Sequence, residues 1–142
     1  MAFRIASSRA YIAGASGGCQ AEIGTASAMA AGALVALHGG SGKAIVHAAA
    51  MAIKNLLGLV CDPVAGLVEV PCVKRNVVGA MNALSSADMA LAGIESRIPP
   101  DQVVDAMKEV GDQMNASLKE TGIGGLAGTP FGKEVAENFL GK

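Results

Sequence analysis

The sequence predicts an all-α domain, on three observations. Long alanine-rich runs are cut by glycine and proline pairs; apolar residues after Pro99-Pro100 recur at the helical period; and LVEV, from Leu67 to Val70, is the one β-like run in the chain. With 142 residues, of which 51% are hydrophobic, a single helical domain over residues 1–142 is the expected organisation. Alanine leads the apolar content, with no tryptophan and only 3% aromatics, so helices built from it can approach closely.

Taken in order, the chain starts irregular or partly helical, and Gly17-Gly18 then precedes an alanine-rich segment from Cys19 to about Leu37 that stops at His38-Gly39-Gly40-Ser41-Gly42. A second helix is expected from about Lys43 to Val60, because Pro63 disfavours helical geometry at Asp62, and this places Cys61 at its C-terminal end. Pro63 to Pro71 is too short and interrupted for a helix and reads as a loop. A third helix enters at Pro71 and Cys72 and runs to Gly93. Pro99 and Pro100 open a fourth, with Val103, Met107, Val110, Met114 and Leu118 on one stripe and Asp105, Lys108, Asp112 and Lys119 off it. GIGGLAGTP is a glycine loop, after which Thr129 and Pro130 start a short last helix ending near Phe139.

Several function classes are disfavoured by composition. Net charge is -1 with no basic cluster beyond Lys74-Arg75, so the electrostatic footprint of a nucleic-acid binder is missing. Ile23 to Gly42 carries no formal charge and is long enough to cross a bilayer, but it is mostly Ala, Gly, Ser and Thr and holds His38, which points to a buried helix rather than a membrane span. Met1 to Ala15 lacks the apolar run of a secretory signal, so the expected location is the cytoplasm, where thiols stay reduced and disulfides are rare. Gly122, Gly124 and Ala127 match the spacing of a dinucleotide fingerprint without its preceding strand. Gly42-Lys43 lacks the rest of a phosphate loop.

The cysteines carry more. Cys19, Cys61 and Cys72 are the only three in the chain, and all fall at predicted helix ends. Cys19 and Cys72 fall in first turns, where free N–H groups and the helix dipole favour a thiolate. Three thiolates from separate helix ends suit an iron–sulfur cluster in which one iron lacks a cysteine; zinc with a histidine, and three ordinary buried cysteines, are the competing readings. Among polar neighbours, Glu22 lies one turn after Cys19, and Lys54 and Asn55 lie one to two turns before Cys61. Like His38 and His47, these are ordinary structural residues as readily as proton carriers.

GGCQAEIGTASAMAAGALVAL, NLLGLVCDPVAGLVEVPCVKRN and SLKETGIGGLAGTP, together spanning about Gly17 to Thr129, resemble the C-terminal half of the catalytic α region of iron–sulfur-dependent L-serine dehydratase (L-serine ammonia-lyase). The resemblance implies a helical catalytic domain in which Cys19, Cys61 and Cys72 hold a 4Fe-4S cluster with one iron open to substrate. It further implies that this iron acts as a Lewis acid on the serine hydroxyl while a base removes the α-proton, giving aminoacrylate and then pyruvate and ammonia. No base is assigned; Lys54, His47 and Glu22 are candidates. The family's α region normally begins earlier, with a Gly/Ser-rich substrate segment of the kind APTAGSSG, and has a β region, fused or separate; neither is found in this sequence, nor is a C-terminal cysteine. The chain is therefore expected to be a fragment, a truncated product or one piece of a split enzyme, with L-serine, a β chain, the N-terminal α half and another copy of itself as expected partners. A related lyase that removes sulfide from cysteine, and a noncatalytic helical subunit, are the alternatives.

Overall fold

A computed structural model describes residues 2–141 of the chain. Seven α-helices follow in order: α1 (Ala2–Arg9), α2 (Gly14–Gly17), α3 (Cys19–Leu37), α4 (Gly42–Lys54), α5 (Cys72–Leu91), α6 (Pro100–Gln113) and α7 (Pro130–Leu140). Short 3-10 turns occupy Val64–Gly66, Ala116–Leu118 and Gly125–Gly128. The all-α expectation holds: the described residues contain no β-strand, and their one isolated bridge pairs Cys61 with Lys119 in parallel.

Local chemistry sets the helix ends. Ser41 caps α4 by accepting from the Ala44 N–H, Thr129 caps α7 by accepting from Gly132, and Pro100 and Pro130 open α6 and α7 where their missing N–H costs nothing. Gly93, at φ +86°, ends the α5 segment.

Two expected boundaries are corrected. The second helix stops at Lys54, not Val60, because residues 55–58 turn away, with Gly58 at φ +85° and its N–H captured by the Gln20 side chain. Cys61 thus lies in extended backbone beyond the helix rather than closing it. The fourth helix ends at Gln113, so Met114 and Leu118 leave the apolar stripe; Asn115 folds its side chain onto the Ser117 N–H and starts a separate turn.

α3 is the central helix, packed against α4 and α5 with α6 across α4. The main core joins Ala28, Ala31 and Val35 of α3 to Met51 and Ile53 of α4, Ala83, Ala87 and Ala90 of α5, and Val103, Val104 and Met107 of α6. Small residues let these helices approach: a Cβ on Gly79 of α5 would lie 2.6 Å from Ile23 Cγ2 of α3. Ser27 donates to the Gly79 carbonyl, and Asn82 donates to Ser27 and the Ala52 carbonyl, so these two side chains are paired inside the contact. A second apolar cluster forms at the N-terminal ends of α3 and α5: Cys19, Ile23, Leu56 and Cys61, with Leu59 and Cys72 against them.

Candidate metal centre

The second cluster brings together residues far apart in sequence. Cys19 is the first residue of α3 and Cys72 the first of α5, both in first turns as expected, while Cys61 sits on the extended segment between α4 and the 64–66 turn. Their three Sγ atoms lie within 4.8 Å of one another, Cys19 and Cys61 buried and Cys72 half-buried, and all three are free thiols.

Backbone contacts hold each sulfur in place. At the start of α3, Gly18 has φ +77°, and a Cβ there would stand 2.9 Å from the Leu59 carbonyl oxygen. That close approach lets the Gln20 N–H donate to Leu59, while the Gln20 side chain bridges the Met107 carbonyl and the Gly58 N–H. Cys61 is fixed by its own N–H, donated to Leu118, and its carbonyl, which accepts from Glu120. Gly14 roofs the site: a Cβ there would lie 2.9 Å from Cys61 Sγ and 3.3 Å from Glu22 Oε2.

Around the sulfurs runs a buried ion pair. Asp62 Oδ1 accepts from Arg75 Nη1 at 2.6 Å, the two side chains being 4% and 18% exposed, and Arg75 also donates to the Val60 carbonyl at 2.8 Å. Asp62 Oδ2 accepts from the Leu126 N–H at 2.8 Å, and Gly125, at φ +60°, leaves no room for a Cβ beside that carboxylate. Asp62 therefore joins the cysteine loop, α5 and the glycine loop after residue 121.

Electrostatics explain the thiols' state. Burial pushes Cys61 well above the ordinary thiol range, reinforced by its hydrogen bond to Cys19 and the negative charge of Glu120. Burial also raises Cys19, against the lowering influence of Cys61 and Arg75. Burial opposes the charge on Arg75, yet hydrogen bonding to Asp62 and to Cys19 outweighs it and raises the guanidinium further.

Of the polar candidates, only Glu22 borders the cysteines, through Gly14. Lys54 donates to the Ser96 carbonyl, His47 accepts from the Ser96 N–H, Asn55 donates to Asn82, and His38 bonds the Leu34 carbonyl at the end of α3. Asp62, Arg75, Gly14 and Gln20 were not singled out as site residues by sequence. A signal existed for two of them: Asp62 follows Cys61 directly, and Arg75 lies three positions after Cys72, on the same face of α5. A groove of about 680 Å³, lined by Met29, Ala33, Ala36, Ile45, Ala49 and Ile53 among others, shares no residue with this site.

Fold and site together define a helical protein whose three clustered cysteine thiols could hold a metal. Soft sulfur donors in threes suit iron–sulfur or zinc chemistry. The family model described as serine dehydratase alpha chain matches residues 2–127, and the chain belongs to that family. Among its relatives, the probable L-serine dehydratase, alpha chain, of Bacillus subtilis (strain 168) is 58% identical over 96% of this chain and 46% of that protein. The probable L-serine dehydratase, alpha chain, of Latilactobacillus sakei is 61% identical over 94% of this chain and 64% of that protein. The L-serine dehydratase, alpha chain, of Peptoniphilus asaccharolyticus is 58% identical over 92% of this chain and 45% of that protein. The chain thus spans about half the length of the curated relatives it matches.

Proposed function

We propose that this chain is the cluster-holding part of an iron–sulfur-dependent L-serine ammonia-lyase, which converts L-serine to pyruvate and ammonia. The observation that carries the reading is the convergence of Cys19, Cys61 and Cys72 within 4.8 Å, in a chain whose relatives are named L-serine dehydratases. Those three cysteines would hold a 4Fe-4S cluster, and when bound the cluster supplies a Lewis acid for the serine hydroxyl, a poor leaving group. The names of the relatives favour serine over cysteine as substrate.

The chain's own residues then have separable tasks. Burial of Cys19 and Cys61 keeps water from the sulfurs, and Gly14 leaves beside Cys61 a space too small for a methyl group. Glu22, exposed and at the rim of that space, is the candidate to accept the proton from the substrate α-carbon, whereas Lys54 and His47 are engaged at Ser96.

Partners follow from length and surface. We infer that the residues form one helical domain, the C-terminal part of an α region, completed by the remaining α-chain residues that the relatives carry and by a β chain. An apolar face next to the site supports this: Val68, Val70, Val73, Val77, Met81 and Leu84 are all exposed. Free thiols suit the cytoplasm, and no helix among the described residues is long and apolar enough to cross a membrane.

Anaerobic reconstitution with iron and sulfide tests the cofactor. Bound iron and sulfide with a broad brown absorption that oxygen bleaches is the expected result. Stoichiometric zinc without sulfide would overturn it.

A further inference from the structure

Arg75 touches more of the cysteine site than its place one turn into α5 requires. Its Nη1 donates both to the Val60 carbonyl at 2.8 Å and to Asp62 Oδ1 at 2.6 Å. Through these bonds one side chain ties down the segment that carries Cys61 and, by way of Asp62 and the Leu126 N–H, the glycine loop. It does so from the helix that begins with Cys72. Both bonds leave one nitrogen of a planar guanidinium, whose donors point in fixed directions; a lysine ammonium is a point charge on a flexible stem.

The charge balance points the same way. Metal binding requires the thiols as thiolates, which brings negative charge into a largely buried pocket where it is costly unless compensated. Arg75 is the cation held beside it, and Asp62 fixes the direction of its guanidinium. Arg75 is otherwise an expensive residue to bury, since an ion pair that merely packs can be replaced by apolar residues at little loss.

We propose that Arg75 is a positioning residue for the metal centre: it sets the Cys61 segment against the helix that begins with Cys72, and its positive charge remains beside the sulfurs when metal is bound. The inference rests on the metal-centre reading above. Groups that orient metal ligands commonly change affinity 10–100-fold when removed. Hydrogen bonds to cluster sulfurs and local charge also set reduction potential.

The test uses the full 142-residue chain under anaerobic conditions, with Co(II) as the probe of thiolate binding and an iron–sulfide reconstituted sample for potentiometry. Arg75→Met is expected to retain the helical circular dichroism signal while weakening Co(II) binding about tenfold or more. Its reconstituted form should have a more negative reduction potential than the parent. Arg75→Lys should recover most of the potential, because charge is restored, but not the affinity, because the fork is lost. A residue with a purely structural role would leave the potential of the loaded protein unchanged. Co(II) affinity within twofold of the parent for Arg75→Met, or for Arg75→Lys where the methionine variant fails to fold, overturns the proposal, as does an unshifted potential in Arg75→Met. Failure of the unaltered chain to bind either Co(II) or iron and sulfide sinks instead the metal-centre reading on which it rests.

Discussion

Gly14 shows how one missing methyl group shapes the site. Its backbone lies in the single turn of α2, where alanine is conformationally acceptable, but the added Cβ would stand 2.9 Å from Cys61 Sγ, so Gly14→Ala forces the buried Cys61 to shift. We expect an overpacking cost of about 1–3 kcal/mol in denaturant unfolding together with reduced iron uptake. Equal uptake by Gly14→Ala and parent would show that the position of Cys61 is not critical to the site. Cys61→Ser separates ligand from scaffold in the other direction. Because the helices are specified by alanine-rich and amphipathic patterns, this variant should lose iron while keeping most of its helicity; a circular dichroism spectrum of an unfolded chain would make the metal a folding staple instead. The buried thiols also set a pH dependence. Cys19 and Cys61 have folded pKa values raised above that of an exposed thiol. The folded chain therefore retains protons that the unfolded chain releases, and the stability due to the neutral thiols is present below the unfolded pKa and lost as pH rises past it. Urea midpoints of the reduced, metal-free chain should fall between about pH 7 and about pH 10, more than those of Cys61→Ser.

At the scale of elements, the contact of α3 with α5 couples the core to the site. Ile23 packs with Cys19 and Cys61 on one side and meets Gly79 on the other. Gly79→Val should cost about 1–3 kcal/mol in denaturant unfolding, as overpacked positions do, and should weaken iron binding by displacing Ile23. Undiminished stability would mean that α5 can slide without consequence. This contact was only half legible in the sequence. Abundant Ala and Gly announced close-packed helices, and the ranges of α3, α5 and α7 followed from caps, prolines and glycines acting within a few residues. The end of α4 was not legible, because Gln20, far away in sequence, captures the Gly58 N–H and turns the chain before Cys61. The same holds at the site: the cysteines stood out by type and spacing, whereas the ion pair of Asp62 with Arg75 depends on the tertiary path that brings Leu126 and Val60 to it. Glycines 122–128 read as a loop, but only the fold shows that Gly125 meets Asp62.

For the whole molecule, the exposed surface bears on what the chain does alone. Val73, Val77, Met81 and Leu84 recur along α5 at helical spacing, all more than two-fifths exposed, and the loop residues Val68 and Val70 extend the face toward Cys72. Such a face on a soluble helix is unstable in water unless covered, so the isolated chain should associate with itself, and Val77→Glu with Met81→Glu should shift it toward monomer in sedimentation. Under the proposed function, this face, which on α5 begins one residue after Cys72, is where the remaining part of an α region would dock. A site that holds a metal but does not orient an amino acid lacks the positioning contribution, which can reach about 7–11 kcal/mol of barrier in well-aligned reactions. Pyruvate formation from L-serine by the reconstituted chain should therefore be negligible alone and should appear when the other α-chain half and a β chain are added. The double glutamate variant, which still carries all three cysteines, should bind iron normally but fail to be rescued by those partners. Robust turnover by the 142-residue chain on its own would show that the substrate site is already complete within it and that the α5 face serves something else.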